Sequence, residues 1–145
     1  MRHLALLTFL LAGGCATLPE QRSIAVESKS EAVADGLLLA DVGIETQAGF
    51  SPFLPKGCSL PCSMTANFTN VGDYSERILL KISRTNVSDP STRLQLGTYS
   101  VTGFPPKPAG QSVTRIEFHA DKDGITIAPS DRNDNSRISI TRVAP

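Results

Sequence analysis

The sequence has no excess of charge of either sign, and this balance limits the classes of partner that it can attract electrostatically. Lysine and arginine number 14, aspartate and glutamate also number 14, and the formal net charge at pH 7 is zero. A protein that binds nucleic acid needs a basic surface to replace the counterions of the phosphates. No glycine-rich phosphate loop occurs either. We therefore expect neither nucleic acid nor a nucleotide as a partner.

Histidine is too scarce to support the common catalytic arrangements. His3 lies in a leader that we expect to be removed, so His119 is the single histidine of the mature chain. A Ser-His-Asp or Cys-His site would have to use His119, and no serine stands out as its partner. A hairpin turn is favoured over a calcium loop at residues 121–124, because His119 and Ser130 stand where a calcium loop needs aspartate and glutamate. The sequence predicts no enzyme, no metal site and no cofactor.

The longest apolar run near the N terminus is too short to cross a bilayer as a permanent helix. A basic start is followed by Leu4–Leu11 and then by small residues directly before Cys15. This order is similar to a bacterial lipoprotein signal, in which residues 1–14 are cleaved and Cys15 is lipidated. An ordinary signal peptide or a buried N-terminal strand are the alternatives. Lipidation would anchor the chain in a membrane of the cell envelope, facing the periplasm, and Ala16 favours the outer membrane.

Residues 15–36 are polar and contain few large apolar side chains. Such a segment buries too little surface to offset the entropy lost on ordering. We expect a flexible tether here, between the lipid and a domain over residues 37–145. A short helix over residues 24–34 is the alternative. The remaining length suits one domain with one hydrophobic core.

Cys58 and Cys62 are the two thiols that remain once Cys15 is lipidated. In an exported chain, two cysteines four positions apart favour a disulfide. Free thiols or a metal-binding pair are the alternatives, but two cysteines without accompanying histidines make a poor zinc site.

Alternation of apolar and polar residues predicts strands along most of the chain. The clearest strand has Ile78, Leu80 and Ile82 on one face and polar residues between them. With no convincing amphipathic helix among the strands, the pattern predicts an all-β antiparallel sandwich of about eight strands. The predicted strands cover residues 42–46, 50–56, 64–69, 76–83, 94–101, 114–118, 125–127 and 137–142.

Two connections have a chemistry that excludes helix. The segment from Gly103 to Gly110 contains three prolines, which lack amide donors and restrict the residues before them, so it is a rigid extended link. Residues 121–124 are Asp-Lys-Asp-Gly, which favours a hairpin turn.

The stretch Leu96–Ile127 contains a recognisable pattern of residues: Leu96-Gly97, the aromatic Tyr99, Gly103-Phe104-Pro105-Pro106, Pro108, Gly110, Ile116, Phe118, Asp121 and Asp123-Gly124-Ile125. This pattern resembles the substrate-binding β-domain of the seventy-kilodalton heat-shock chaperone family. Upstream, Leu37–Thr46 resembles the leucine-rich interdomain linker of that family running into its first strand. The resemblance covers residues 37–142 and implies eight strands in two sheets.

The chain departs from the family in three places. Several residues are missing between Val42 and Gly43, so we expect a short first strand. We expect no ATPase domain before the linker-like segment and no helical lid after the sandwich. Leu37, Leu38 and Leu39 then lack their usual docking partner; an added edge strand or a contact with another protein are the open alternatives.

The resemblance also implies a binding site, in which an extended peptide passes through a channel formed by loops at one end of the sandwich. Five residues match apolar positions of the pocket, and Thr114 replaces a sixth. Gln47 and Val71 match the pair that arches over the peptide, although the family usually has methionine at position 47. The five apolar residues are Ile44, Phe68, Ile78, Leu80 and Ile116. Ordinary core packing is the alternative for Phe68, Ile78, Leu80 and Ile116, and the residues alone favour it, since any sandwich core would contain them.

The functional expectation is a lipid-anchored, ATP-independent peptide-binding module, a holdase for extended apolar segments or unfolded proteins in the cell envelope. The alternative is a scaffold domain of an envelope complex in which the groove is closed.

Overall fold

A computed structural model describes residues 23–130 and 137–145, and each regular element within them is a β-strand. The signal segment, Cys15 and the first part of the expected tether lie outside the described residues. The strands are β1 (Ile24–Ser28), β2 (Val33–Ala34), β3 (Leu37–Leu38), β4 (Val42–Thr46), β5 (Gly49–Leu54), β6 (Cys62–Thr69), β7 (Arg77–Thr85), β8 (Arg93–Thr102), β9 (Val113–Asp121), β10 (Gly124–Pro129) and β11 (Ser139–Ala144).

The strands form two large antiparallel sheets and one small ribbon. One sheet has the order β1-β10-β9-β6, the other has the order β11-β8-β7-β4-β5, and β2 pairs with β3. The two large sheets enclose a core of aliphatic and aromatic side chains from every strand of both sheets except β6, whose Ala66 and Phe68 pack against it half-buried. The predicted antiparallel β-sandwich is confirmed.

Strand alternation located most of the sandwich correctly. β4 has the predicted bounds, and on β7 the predicted inner residues Ile78, Leu80 and Ile82 are buried while Arg77 and Leu79 are exposed. Each of the eight predicted strands is present, with differences of a few residues at the ends. The largest extension is in β9, which runs from Val113 to Asp121 because it pairs along its length with β6.

The expected tether is wrong over residues 24–36, because these residues belong to the folded domain. β1 pairs with β10, with Ile24 opposite Ile127, and becomes the ninth strand of the sandwich. Val26 and Ala32 are buried in the core. A short strand at a sheet edge needs few inward side chains, since its backbone hydrogen bonds and its neighbours supply the remaining order. The alternative of a helix over this segment is also wrong.

An ion pair holds β1 to the opposite sheet. Arg84 on β7 is 2% exposed, and its Nε donates to both carboxylate oxygens of Glu27 at 3.1 and 3.0 Å. Its Nη2 reaches Glu31 Oε1 at 3.3 Å, and its Nη1 donates to the carbonyl of Thr85 at 3.1 Å. A buried guanidinium is tolerated only when its donors are satisfied in this way.

The leucine segment forms the short strand β3 rather than an edge strand of the sandwich. Leu38 is fully buried in the core, and its amide donates to the carbonyl of Cys58 at 3.0 Å. Leu37 is 40% exposed and forms a bridge with Ser59. In this chain the leucines therefore help to close one end of the sandwich.

Candidate functional site

Three connections meet at one end of the sandwich, and we call this the loop end. They are the β4–β5 turn at residues 47–48, the β6–β7 loop at residues 70–76 and the β8–β9 loop at residues 103–112. Antiparallel pairing forces this arrangement, because β4 ends where β7 begins, β6 ends where β9 begins, and the β6–β7 loop joins the two sheets. The loop end is where the resemblance places the peptide channel.

The predicted pocket residues come from both sheets and face the interior. Ile44 on β4 and Ile78 and Leu80 on β7 belong to the five-stranded sheet. The other three, Phe68 on β6 and Thr114 and Ile116 on β9, belong to the four-stranded sheet, where Phe68 lies opposite Thr114. The structure thus places all six on the interior side of the sandwich.

Most of these side chains are inaccessible. Ile44 and Ile78 are 9% and 8% exposed, and Leu80, Thr114 and Ile116 are 2% or less. Phe68 is half-buried, and its ring meets Phe53 edge-on at a centroid distance of 5.8 Å. Phe53, which the sequence did not single out, also contacts Phe118 at 4.9 Å. In the described conformation, the protein's own side chains therefore fill the inner end of the expected pocket.

Gln47 and Val71 both lie on the surface of the loop end. The side chain of Val71 is 93% exposed, and Gln47 is also exposed. A valine with this exposure buries almost no apolar surface on folding, so its side chain remains available for contact with a ligand. These two residues are the accessible part of the predicted site.

Thr114 carries a buried hydroxyl without a hydrogen-bond partner among the described residues. The same holds for the hydroxyl of Tyr99 on β8. Burial raises the pKa of the Tyr99 hydroxyl above its usual value, and the charge of Arg142 opposes this shift. Tyr99 is therefore neutral at physiological pH. Each unpaired hydroxyl costs stability, which an apolar residue at the same position would avoid.

Asn70 holds two of the three loops together. Its side-chain amide donates to the carbonyls of Gly72 at 3.0 Å, Lys107 at 2.8 Å and Pro108 at 3.3 Å. Its Oδ1 accepts from the amide of Ser112 at 3.1 Å. Asn70 is 1% exposed, so these bonds are shielded from water. The sequence did not single out Asn70, since its partners Lys107, Pro108 and Ser112 lie about 40 positions away.

The rest of this network fixes the β6–β7 loop against the proline-rich link. The amide of Tyr74 donates to Lys107 at 2.8 Å, and the amide of Ala109 donates to Asp73 Oδ1 at 2.9 Å. Tyr74 has a φ of 55°, a left-handed conformation that these contacts must hold in place. The loop end is a rigid surface on this side.

Cys58 and Cys62 lie at the opposite end of the molecule. Their sulfur atoms are 1.99 Å apart, a bonded distance, and their Cα atoms are 6.3 Å apart. The pair closes the connection between β5 and β6, next to Leu38. The structure therefore places the predicted disulfide away from the loop end.

His119 is also remote from the loop end, near the β9–β10 turn. Its Nε2 lies 3.3 Å from Asp121 Oδ2, and both side chains are about one-third exposed. Within residues 23–130 and 137–145, no group of three or more potential metal ligands comes together. In the same ranges, no helix is long and apolar enough to cross a membrane.

Comparison with known proteins agrees with this architecture. A family model described as "Hsp70 protein" matches residues 12–144. The chaperone protein DnaK of Halobacterium salinarum is 29% identical over 114 residues, which cover 74% of this chain and 18% of DnaK. DnaK of Thermotoga petrophila is 28% identical over 95 residues, covering 61% and 16%. A heat shock protein 70 homolog of Acanthamoeba polyphaga mimivirus is 27% identical over 106 residues, covering 69% and 11%. The chain spans less than a fifth of the length of these relatives.

Proposed function

The chain belongs to the Hsp70 family, and from this premise we propose that it is a non-enzymatic peptide-binding module of the bacterial cell envelope. It acts as a lipid-anchored holdase that captures extended apolar segments of unfolded proteins at the loop end, without nucleotide. The observation that supports this most strongly is that the six predicted pocket residues converge from both sheets at the end that exposes Val71 and Gln47.

The ligand in this proposal is an extended segment with a large apolar residue at its centre. Backbone groups of the loop end would hold its main chain, and apolar side chains would receive the central residue. Because Val71 is 93% exposed, contact with a ligand removes apolar surface from water that folding leaves exposed. The fixed geometry of the Asn70 network limits the ordering cost on this side of the site.

Substitution of Val71 tests this proposal. We expect Val71→Asp to weaken binding of a fluorescent leucine-rich heptapeptide by about tenfold, since it removes an apolar contact worth about 1.5 kcal/mol. The measurement is fluorescence anisotropy with the full chain. Val143→Asp is the matched control, because Val143 is 50% exposed near the end of β11, on the opposite side of the sandwich. Equal affinities of the two variants would contradict the proposed site.

The lipid anchor is proposed from Cys15 and the residues before it. We expect the full chain to fractionate with membranes and to incorporate labelled palmitate, and Cys15→Ser to lose both properties, because the acyl chains are attached to this thiol. Membrane fractionation and palmitate labelling of the two proteins provide the measurement. Palmitate incorporation by Cys15→Ser would contradict this assignment.

A scaffold role in an envelope complex is the second candidate. The burial of Leu80, Thr114 and Ile116 favours it, since a groove filled by its own side chains leaves no room for a ligand residue. A scaffold predicts a stoichiometric protein partner and no saturable peptide binding.

A further inference from the structure

Within residues 23–130 and 137–145, the two large sheets have four edge strands, and three of them carry features that discourage pairing with another chain. β1 contains the charged residue Glu27, and β11 contains the charged residue Arg142. Each of these two strands also has a register shift in its pairing. β5 contains Pro52 and lies beside a register shift in its pairing with β4. Charges, prolines and bulges of this kind are how proteins protect sheet edges from association.

The fourth edge, β6, has none of these features. Its eight residues, Cys62–Thr69, include no charged residue and no proline. It pairs with β9 without a register shift, from Cys62 opposite Ala120 to Thr69 opposite Val113. A long, regular and uncharged edge is a template for pairing with another strand.

The hydrogen-bond pattern shows which backbone groups of β6 point outward. In the same register, the amide of Asn70 donates to the carbonyl of Ser112 on the β9 side, at 3.3 Å. The carbonyl of Arg115 accepts from the amide of Ser130 on the β10 side, at 2.9 Å. Because these directions alternate along a strand, the even-numbered residues of β6 bond to β9. The odd-numbered residues present their amides and carbonyls to the free edge: Ser63, Thr65, Asn67 and Thr69.

We propose that this edge binds the same edge of a second copy of the chain, in an antiparallel pair around a two-fold axis at Ala66. In this register Thr65 lies opposite Asn67 of the second copy, and Ser63 lies opposite Thr69 of the second copy. Each outward-pointing residue then meets another outward-pointing residue, so the free amides and carbonyls are satisfied. The pairing joins the two four-stranded sheets into one sheet of eight strands.

The side chains of β6 are self-complementary in this register. On the inner face, Met64 lies opposite Phe68 of the second copy, which places a thioether against an aromatic ring. Met64 is 48% exposed in the single chain, so pairing also covers apolar surface. On the outer face, hydroxyl and amide groups face one another, and such cross-strand pairs stabilise antiparallel sheets. No two like charges meet on β6, which a self-pairing edge requires.

This inference does not rest on the proposed peptide binding. The two-fold axis makes the β6 strands antiparallel, so the two loop ends point in opposite directions. A dimer would therefore present two separate loop ends.

A pair of charge variants tests the dimer and its register. Sedimentation equilibrium of the full chain, in a density-matched detergent solution, should show dimers at micromolar concentration. We expect T65K/N67K to raise the dimer dissociation constant by about tenfold or more, since a lysine of one copy then faces a lysine of the second copy in both of the pairs that these positions form. T65K/N67E should remain dimeric, because the same positions then carry opposite charges.

A proline variant tests the same pairing through the backbone instead of through charge. Thr65→Pro removes one outward amide and leaves the β6–β9 bonds intact, so we expect folded monomers; Thr65→Val keeps the amide and should remain dimeric. A wild-type chain that stays monomeric at micromolar concentration overturns the proposal. Dimers of T65K/N67K overturn it as well. A monomeric wild type whose peptide affinity falls in T65K/N67K would assign this edge to the ligand and not to a second copy.

Discussion

Replacing Glu27 with alanine is expected to lower the free energy of unfolding by about 3–5 kcal/mol, the largest effect of any single substitution considered for this chain. The change leaves the guanidinium of Arg84 in a site where it is 2% exposed and removes both oxygens that its Nε contacts at 3.0 and 3.1 Å. The remaining carboxylate, Glu31, is 68% exposed and lies 3.3 Å from Nη2. Urea denaturation followed by circular dichroism measures the loss.

Glu31→Ala is the matched control for Glu27→Ala. It removes a carboxylate from the same guanidinium, but an exposed one, so we expect a loss below about 1 kcal/mol. Replacing Glu27 by leucine and Arg84 by methionine together should recover much of the stability, since no unpaired charge then remains buried. Similar losses for the two alanine variants would contradict the account of β1 as a part of the sandwich held by this pair.

The second large effect is expected for Asn70→Ala, with a loss of about 3 kcal/mol in the free energy of unfolding. The substitution leaves the amide of Ser112 without its acceptor at a position where Asn70 is 1% exposed. It also removes one of two donors from the carbonyls of Gly72, Lys107 and Pro108, which keep a backbone amide each. The unpaired amide costs about 1–3 kcal/mol, the three lost hydrogen bonds to carbonyls add to this loss, and local opening to water recovers a part of it. Amide hydrogen exchange should also accelerate in the β6–β7 loop and the proline-rich link. Thermal unfolding and hydrogen exchange provide the two measurements.

Asn67→Ala is the control here, because Asn67 is an asparagine outside the core whose Oδ1 accepts a hydrogen bond from Arg115 Nε at 3.2 Å. We expect a change below about 0.5 kcal/mol and no effect on the loops. If Asn70→Ala left both stability and loop exchange unchanged, the rigidity of the loop end would need another cause.

Alternation along a strand predicted the sandwich well because it is a local property. The bounds of β4 and the buried face of β7 follow from residues that are neighbours in the sequence. β1 escaped prediction because one of its five residues, Val26, is buried, and its order comes from β10, about 100 positions away. A strand that is stabilised mainly by its partner strand shows only a weak alternation pattern in its own sequence.

The site was less predictable, because its organising contacts join distant residues. The side-chain bond of Asn70 to Lys107 spans 37 positions, and the pair of Arg84 with Glu27 spans 57. An asparagine at a turn and an arginine in line with Ile78, Leu80 and Ile82 are the signals that the sequence contains. Neither signal specifies a partner. The pocket positions came from family resemblance, and alternation alone could not tell whether these residues form a pocket or the core, because it marks both in the same way.

A titration of the isotope-labelled full chain with a leucine-rich heptapeptide, followed by NMR, tests the proposed peptide binding most directly. Binding at the loop end predicts saturating shifts confined to this end, at the amides of Gln47, Val71 and Ile78. Spectra that stay unchanged up to millimolar peptide would contradict it, and would show that this member of the Hsp70 family has kept the sandwich without the binding activity.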